Sequence, residues 1–452
     1  MDHATDRPTD LTTDLLVIGG GMAGLTAAAR AARDGQRVVV VEVGADVGGS
    51  GRFAGYIWTA PDHEVMDQQN PNGDAALKRR LVDDFAAAVE WIRSTGVEAK
   101  PAQRILSFGR GHEFDTNHYV DTCRRLVTEA GGSVLIDTVT EELLESDGAV
   151  VGARVRRSSG EELDITARHT VLATGGFQGS AELRETYLGS GAGEMPLRSN
   201  PHSQGDGLRL ATAVGAAVGP EQAGFYGHLV PSGVPFKDSG DFVDLSLYYS
   251  EHALLFNLEN RRFVDETLGD HLTTVALMEQ PEARGLLIAD GRVYRDWMVP
   301  AYVEGAVSVD KFALASRRGG RTGLAESLEE LEYLPEDWGY DGPTIRAEIE
   351  RYNEAAASGT LEPGRALDPA PLLEPPYYVI ETIPAITFPF TGILIDDHAR
   401  VLDSDGRPIP GLLAAGSDTG GLWNRAYAGG LAAAIVFGLA AAESAGAPSS
   451  GE

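Results

Sequence analysis

Residues 14–24 read Asp-Leu-Leu-Val-Ile-Gly-Gly-Gly-Met-Ala-Gly, and an alanine-rich stretch leads from them to Arg37-Val-Val-Val-Val-Glu42. This pattern predicts a buried strand, a tight glycine turn, a helix and a second strand that ends in an acid. Gly19 makes the turn, Gly21 lets a pyrophosphate approach the backbone, and Gly24 lets helix and strand pack closely. The terminal acid stands where a carboxylate can accept from a ribose hydroxyl. The stretch therefore predicts a dinucleotide site; the alternative is a tight turn that binds no ligand.

Two further glycine-rich loops are candidates for the same ligand. The first, Val47-Gly-Gly-Ser-Gly-Arg-Phe-Ala-Gly55, indicates backbone that passes close to a flat molecule, with a flexible loop as the alternative. The second closes His169-Thr-Val-Leu-Ala-Thr-Gly-Gly-Phe177, a predicted buried strand, and ligands of doubly wound sheets lie beyond the carboxyl ends of strands. Asp206 is expected to cap a helix over 208–218, to lie near the cofactor, or both.

The overall charge excludes several classes of partner. The 452 residues include 37 basic and 67 acidic ones, for a formal net charge of −30, which argues against nucleic acid and anionic membrane surfaces. The apolar run 426–442 is interrupted by glycines, so a buried helix is expected there rather than a membrane span. A single cysteine, Cys123, excludes an internal disulfide and a cysteine-based metal site, and no other metal site is expected. No signal peptide is visible, and a cytoplasmic location is expected.

The middle of the chain differs in character from its two ends. From about residue 230 it becomes richer in charged and aromatic residues and in loops, and strand-like segments return near the end. The sequence therefore predicts an α/β fold in which a Rossmann-like domain, residues 10–232 and 371–445, is interrupted by an α+β capping domain, residues 233–370. Residues 75–95 are expected to form one amphipathic helix.

Several motifs follow one another in a fixed order along nearly the whole chain. Beyond the first glycine turn they are Val171-Leu-Ala-Thr-Gly-Gly-Phe177, Gly205-Asp-Gly207, Asn260-Arg-Arg-Phe-Val-Asp-Glu266, Arg351-Tyr-Asn-Glu354, Pro376-Tyr-Tyr378, Gly411 to Gly421 and Tyr427-Ala-Gly-Gly430. In this order they resemble the fumarate reductase and 3-ketosteroid 1-dehydrogenase superfamily of FAD-dependent oxidoreductases. The resemblance implies an FAD-binding domain split by a capping domain, and hydride transfer between flavin N5 and a substrate carbon.

The FAD that the resemblance implies is expected to be held without a covalent bond, because no histidine lies between Val47 and Ala60. The residues expected to contact it are Gly19, Gly21, Met22, Ala23, Gly24, Glu42, Gly49, Ser50, Gly51, Thr174, Gly175, Asp206, Gly416, Ser417, Asp418, Gly430 and Leu431.

Within the superfamily, the positions that hold a dicarboxylate are mostly changed here. Fumarate reductases use arginines and histidines, but two of the arginine positions fall at Asp270 and Tyr427, and a histidine position falls at Thr387 or Phe388. Only His228 keeps its place. One histidine cannot hold two carboxylates without leaving charge unpaired, so a mainly apolar substrate is expected.

The ketosteroid dehydrogenases place a tyrosine before the last glycines, and Tyr427 matches it. The resemblance implies that this hydroxyl, with the N–H of Gly429 or Gly430, holds a substrate ketone; a phenol there stabilises a developing enolate.

The base that removes the α-proton stays open among three residues, Asp270, His271 and His228. Asp270 and His271 are expected in one loop, and histidine titrates near neutral pH, whereas aspartate needs burial to do so. Tyr226 and Phe388 are expected to line the substrate site.

The sequence thus predicts an FAD-dependent dehydrogenase or desaturase, or an ene-reductase in reverse, acting beside the carbonyl of a mainly apolar, cyclic or steroid-like ketone. The first alternative is a reductase of unsaturated carboxylic acids, which needs a cationic pocket. The second is a flavin-binding redox protein without turnover. The expected partners are a small-molecule substrate and an electron donor or acceptor of unspecified kind.

Overall fold

A parallel sheet forms around the first strand of the chain, in a computed structural model that describes residues 11–236, 239–301 and 307–447. Strand β1, Leu11–Ile18, pairs in parallel with Val38–Val41 on one side and with Glu162–Leu172 on the other. Helix α1, Met22–Arg33, joins the first two strands and is buried along most of its length. Strands with neighbours on both sides and helices on their faces are buried throughout, which explains the continuous apolar runs of the sequence.

Contacts within the chain divide it into two units. The first unit comprises residues up to Leu188, Ser199–Phe225 and the residues from Phe388 onward; the second comprises Gly189–Arg198 and Tyr226–Thr387. The predicted domain limits, 10–232, 233–370 and 371–445, stay a prediction, because a unit of dense contacts need not be a domain that folds alone.

The strands of the first unit form a large mixed sheet and two small ones. The strands are β1 (Leu11–Ile18), β2 (Val38–Val41), β3 (Tyr56–Thr59), β4 (Gln103–Ile105), β5 (Gly109–Glu113), β6 (Ser133–Leu135), β7 (Thr138–Ser146), β8 (Ala149–Arg157), β9 (Glu162–Leu172), β10 (Val218–Gly219), β16 (Gly392–Ile393), β17 (Arg400–Leu402) and β18 (Pro408–Ala414). The large sheet has the order β17-β18-β9-β1-β2-β6, with β8 also paired to β9 and β7 paired to β8.

Helices connect these strands. They are α1 (Met22–Arg33), α2 (His63–Gln69), α3 (Ala75–Asp83), α4 (Phe85–Ser94), α5 (Thr116–Glu129), α6 (Ala181–Leu188), α7 (Asp206–Ala213) and α13 (Gly430–Gly446). Helix α13 is apolar on almost every side and is buried, as expected for the run 426–442. Among the described residues, the helices are all too short or too polar to cross a membrane.

The second unit combines helices with a sheet of its own. Its strands are β11 (Phe225–Pro231), β12 (Leu254–Asn257), β13 (Gly285–Ala289), β14 (Thr322–Ala325) and β15 (Tyr377–Pro389). They pair in the order β11-β15-β13-β12, with β14 beside β15. Its helices are α8 (Ser239–Leu245), α9 (Asp270–Met278), α10 (Gly291–Val293), α11 (Lys311–Arg317) and α12 (Gly342–Ser358).

The motif Asn260–Glu266 has a structural role in the second unit. The Glu266 side chain is fully buried and accepts from the backbone N–H of Leu255 at 3.0 Å and from Nε of Arg262 at 2.9 Å. Arg365 adds a third contact, at 3.3 Å. A buried carboxylate is tolerated when it is paired and hydrogen-bonded in this way, so the motif joins β12 to the segments around it.

Two predicted helices differ from the observed ones. The expected helix 75–95 is interrupted at Asp84, a residue type that favours helix ends, and gives α3 and α4. The expected helix 208–218 is wrong at both ends, because α7 begins at Asp206 and ends at Ala213. Gly215, at φ +86°, ends it in the left-handed conformation that glycine favours. Asp206 is not the cap, because Gly205 occupies that position.

Candidate active site

The residues predicted to bind the cofactor follow neighbouring parallel strands at one edge of the large sheet. Ile18 pairs with Val41 and with Leu172, so Gly19, Glu42 and the loop after Leu172 all start at the same level. Carboxyl ends of parallel strands form the ligand-binding edge of doubly wound sheets. The topology therefore brings together three segments that lie far apart in the sequence.

The three glycines of the first turn differ in what surrounds them. A Cβ on Gly19, which has φ +104°, would lie 2.2 Å from the carbonyl oxygen of Ala173, and a Cβ on Gly24 would lie 2.0 Å from that of Gly19. These two glycines permit close backbone packing. A Cβ on Gly21 would meet nothing within 4 Å, so the protein itself does not require glycine there.

The start of α1 is open to an anion. Gly21 is its N-cap and supplies no side-chain acceptor, and the first intrahelical donor is the N–H of Leu25, which bonds Gly21 at 2.9 Å. The N–H groups of the first turn have no intrahelical partner, and together with the helix dipole they favour a phosphate.

Glu42 lies at the same edge and is almost fully buried. Its two carboxylate oxygens accept from the N–H of Gly20 and of Gly44, each at 2.7 Å, which fixes the carboxylate beside the glycine turn. Each oxygen keeps lone-pair capacity for a hydroxyl donor. These features fit a dinucleotide. The helix start, with its free N–H groups and its dipole, and the open space beside Gly21 suit a pyrophosphate, and the fixed Glu42 carboxylate suits a ribose hydroxyl.

The second glycine-rich loop lies against the first. Gly48 forms a bridge with Gly21, Cα of Gly21 lies 3.8 Å from a Cβ built on Gly49, and Cε of Met22 lies 3.1 Å from one built on Gly51. Ser50 exchanges a hydrogen bond with Ser199 at 2.6 Å. The loop predicted from its glycines is therefore next to the first glycine turn.

Asp418 connects two other loops of this edge. Its buried carboxylate accepts from Oγ1 of Thr174 at 2.9 Å and from the N–H of Gly176 at 2.8 Å, and Thr174 in turn accepts from the N–H of Gly207. Burial raises the pKa of Asp418, whereas these donors lower it. The contacts account for an acid at this position, and its predicted contact with FAD stays a prediction.

The remaining predicted cofactor residues lie nearby in the first unit. A Cβ built on Gly416 would lie 2.9 Å from the Cβ of Ala23, and one built on Gly176 would lie 2.8 Å from the backbone oxygen of Ser417. Asp206 forms a partly exposed ion pair with Arg209 at 3.5 Å. Gly175, at φ +100°, follows Thr174, and Leu431 lies in the first turn of α13.

Tyr427 is set among aromatic rings just before α13. Its ring makes edge contacts with Trp58 at 5.2 Å, Trp423 at 5.7 Å and Phe388 at 5.8 Å between centroids. Its hydroxyl oxygen accepts from the N–H of Gly430 at 2.8 Å. This bond orients the hydroxyl at the helix start, and accepting a hydrogen bond makes the O–H a stronger donor. Gly430, expected to assist Tyr427 at the ketone, here binds the phenol itself.

In the second unit, His228 is the centre of a buried polar cluster. Its Nδ1 lies 2.6 Å from Oδ2 of Asp270, and Asp270 also accepts from the N–H of Leu229 at 3.0 Å. Nε2 of His228 bonds a guanidinium nitrogen of Arg198. Because arginine has only donors, Nε2 must accept, and Nδ1 carries the proton that is donated to Asp270.

Burial dominates the acid–base properties of this pair. It lowers the pKa of His228 well below the usual value, and the positive charges of Arg198 and Lys311 act in the same direction, so the imidazole is neutral. It raises the pKa of Asp270 to about 7, against the lowering effect of the Leu229 N–H. Of this pair, Asp270 rather than His228 is therefore the group that titrates near neutral pH.

Other side chains enclose the cluster. Tyr226 and Tyr248 make edge contacts with the His228 ring at 4.8 and 5.1 Å, and Tyr226 also contacts the His271 ring at 5.6 Å. Lys311 is buried, with its ammonium group 6.0 Å from the Tyr248 ring, and burial lowers its pKa. The cluster therefore has an aromatic wall, and two cations, Arg198 and Lys311, act on the Asp270 carboxylate.

One sequence-based expectation for this cluster needs correction. Asp270 and His271 do not lie in a loop but in the first turn of α9, which begins after Gly269. Arg198, which bonds His228 directly, was not singled out from the sequence, because it is 30 positions from His228 and lies in no motif. Its backbone N–H donates to the carbonyl oxygen of Ile386 at 2.8 Å.

Comparisons with known proteins agree with this geometry. The profile of the FAD_binding_2 family, described as FAD binding domain, matches residues 14–431. A fumarate reductase (cytochrome) of Shewanella frigidimarina is 26% identical over 96% of this chain and 77% of its own length. A urocanate reductase of Eggerthella lenta is 28% identical over 91% of this chain and 71% of its own.

Solved structures share the fold. The crystal structure of a 3-ketosteroid Δ4-(5α)-dehydrogenase from Rhodococcus jostii matches with a TM-score of 0.76 at 21% identity, over 99% of both chains. At this identity the likeness concerns the fold alone.

Proposed function

The chain belongs to the FAD_binding_2 family of FAD binding domains, and from this premise we propose that it oxidises or reduces the carbon–carbon bond beside the carbonyl group of a mainly apolar ketone. FAD is its cofactor, and the protein is an FAD-dependent oxidoreductase acting on CH–CH groups. When bound, FAD supplies the acceptor or donor of hydride at its N5 atom.

The observation that carries the proposal is the Tyr427 hydroxyl, held by the Gly430 N–H at the start of α13. A neutral donor fixed in one position stabilises the negative charge that develops on a carbonyl oxygen when the α-proton leaves. The surrounding rings of Trp58, Trp423 and Phe388 suit an apolar substrate.

We assign the proton transfer to Asp270. In the direction of oxidation its carboxylate takes the α-proton while hydride leaves the β-carbon; in the direction of reduction its protonated form returns a proton to the α-carbon. Its pKa of about 7 suits both directions, because an acid–base catalyst is most effective when its pKa lies near the working pH. His228 holds the Asp270 carboxylate in place through Nδ1.

The assignment predicts a pH dependence of opposite sign in the two directions. Asp270 ionises as the pH rises through about 7, so oxidation of a ketone is expected to become faster and reduction of an enone slower over that interval. The measurement is kcat in each direction from pH 5 to 9. Asp270→Asn should remove the pH dependence of kcat in both directions and most of the rate. If the variant kept the same pH dependence, the titrating group would be another residue.

A second candidate function is reduction of an unsaturated carboxylic acid. Two cations of the cluster favour it, Arg198, which bonds His228, and the buried Lys311, because a buried substrate carboxylate needs a positively charged partner. The fumarate and urocanate reductases that resemble this chain act on unsaturated acids.

Product analysis separates the two candidates. The FAD-loaded protein is incubated with an artificial electron acceptor and saturated cyclic ketones, and in parallel with a reduced dye and unsaturated carboxylates. The proposal expects α,β-unsaturated ketones from the first series. Turnover confined to the acids would replace it by the second candidate, and turnover of neither would leave a flavin-binding protein without this activity.

A further inference from the structure

A buried asparagine in the first unit holds the chain segment that leads into Tyr427. Asn70 is fully buried, and its Oδ1 accepts from three successive backbone N–H groups, those of Asn424, Arg425 and Ala426, at 3.1 to 3.2 Å. Its Nδ2 donates to the carbonyl oxygen of Ala426 at 2.9 Å. A single side-chain amide thus bonds both N–H groups and a carbonyl oxygen of the backbone directly before Tyr427.

The residues after Asn70 strengthen the same attachment. The N–H of Asn72 donates to Oδ1 of Asn424 at 3.0 Å, and the N–H of Asp74 donates to the carbonyl of Gly421 at 2.8 Å. The buried ammonium of Lys78 donates to the carbonyl of Asn70 at 2.8 Å. The segment from Asn70 to Asp74 is therefore hydrogen-bonded to residues 421–426, and Lys78 in turn fixes the carbonyl group of Asn70.

Residues 421–429 form neither helix nor strand, so no regular backbone ladder fixes the position of Tyr427. In such a segment, a buried side chain that satisfies several backbone groups determines the local path of the chain. The amide of Asn70 has the donor and the acceptor that this path requires, and aspartate, which has the same size, supplies the donor only when it is protonated.

We propose that Asn70 is a positioning residue that sets the place of the Tyr427 hydroxyl for the carbonyl oxygen of the substrate. The inference rests on the proposed function, in which Tyr427 stabilises charge in the transition state. Displacement of that hydroxyl by a fraction of an ångström weakens its hydrogen bond to the carbonyl oxygen most in the transition state, where that oxygen carries the largest negative charge. Loss of Asn70 therefore lowers kcat and leaves KM nearly unchanged.

The test is a double-mutant cycle between Asn70→Ala and Tyr427→Phe, measured on FAD-loaded protein with flavin content and thermal unfolding recorded for each variant. Asn70→Ala is expected to lower kcat roughly tenfold. In the Tyr427→Phe background it should change kcat by less than about twofold, because the hydroxyl it positions is gone. Gln68→Ala, which truncates an exposed side-chain amide two residues away, is the control and should behave as wild type.

The outcomes are distinguishable. A Tyr427→Phe variant that turns over at the wild-type rate would remove Tyr427 from the mechanism, and both the proposed function and this inference would fail. A slow Tyr427→Phe variant in which Asn70→Ala costs a further tenfold would overturn the inference alone, because the two residues would then act independently.

A second variant serves if Asn70→Ala does not fold. Asn70→Asp keeps the acceptor for the three N–H groups but places an oxygen against the carbonyl of Ala426. When the new carboxyl group is ionised the two oxygens repel, and when it is protonated its O–H donates as the amide did. The ratio of its kcat to that of wild type should therefore rise as the pH falls; a ratio independent of pH would contradict the inference.

Discussion

Tyr427→Phe is expected to lower kcat by about 100-fold or more while FAD stays bound. The substitution removes only the hydroxyl that the Gly430 N–H orients, and the ring contacts with Trp58, Trp423 and Phe388 remain. Loss of one donor to a developing oxyanion costs about 10²- to 10³-fold in other enzymes. The measurement is single-turnover reduction of the flavin by a substrate ketone, which excludes effects on product release.

Tyr333→Phe is the matched control for this substitution. It removes the same atom from a tyrosine that is 82% exposed, so it should leave the rate unchanged. A Tyr427→Phe variant as fast as the control would show that the phenol is only a packing side chain at the start of α13.

Gly21→Ala is expected to weaken FAD binding by roughly 10- to 100-fold without destabilising the apoprotein. Gly21 has φ −78° and ψ −169°, a conformation open to alanine, and its Cβ would meet no protein atom within 4 Å. The added methyl group therefore affects only a ligand that approaches the turn. Loss of a hydrogen bond to a charged group costs about 1.5–3 kcal/mol, which is consistent with this loss of affinity.

Gly364→Ala controls for the substitution itself. A Cβ on Gly364 would meet only the carbonyl oxygen of Leu361, at 3.9 Å, and the residue lies outside all the glycine-rich loops predicted to contact FAD. FAD titration of the two apoproteins, followed by flavin fluorescence, should separate them. Equal FAD affinities would mean that the pyrophosphate does not lie against Gly21.

Local patterns of the sequence predicted the fold and the cofactor well, because the strand, the glycine turn and the acid that indicate them are contiguous. The strand, the glycines and Glu42 lie within 29 residues, and their roles depend on backbone geometry that glycine and a helix start impose by themselves. The superfamily resemblance, the α/β fold class and FAD are confirmed by the family match over residues 14–431. Helix ends were predicted less well: Gly215 ends α7 early, and Asp84 interrupts what reads as one amphipathic helix.

The acid–base cluster and the support of Tyr427 depend on contacts that no local pattern encodes. Arg198 reaches His228 across 30 positions, and Asn70 reaches Ala426 across 356. Apolar periodicity indicates which face of an element is buried, but it does not indicate which polar side chains meet there. The titration of Asp270 near pH 7 also arises from burial, which depends on the folded chain as a whole.

The central claim is that the flavin exchanges hydride with the carbon–carbon bond beside a ketone, and the most direct test is anaerobic mixing. Oxidised holoprotein is mixed with a saturated cyclic ketone in a stopped-flow instrument, and the visible absorbance of the flavin is followed without any electron acceptor. We expect that absorbance to disappear in one phase whose rate saturates with ketone, with the unsaturated ketone as product. An unchanged flavin spectrum at every ketone concentration, in protein whose reduced flavin is reoxidised by unsaturated carboxylates but not by enones, would contradict the account.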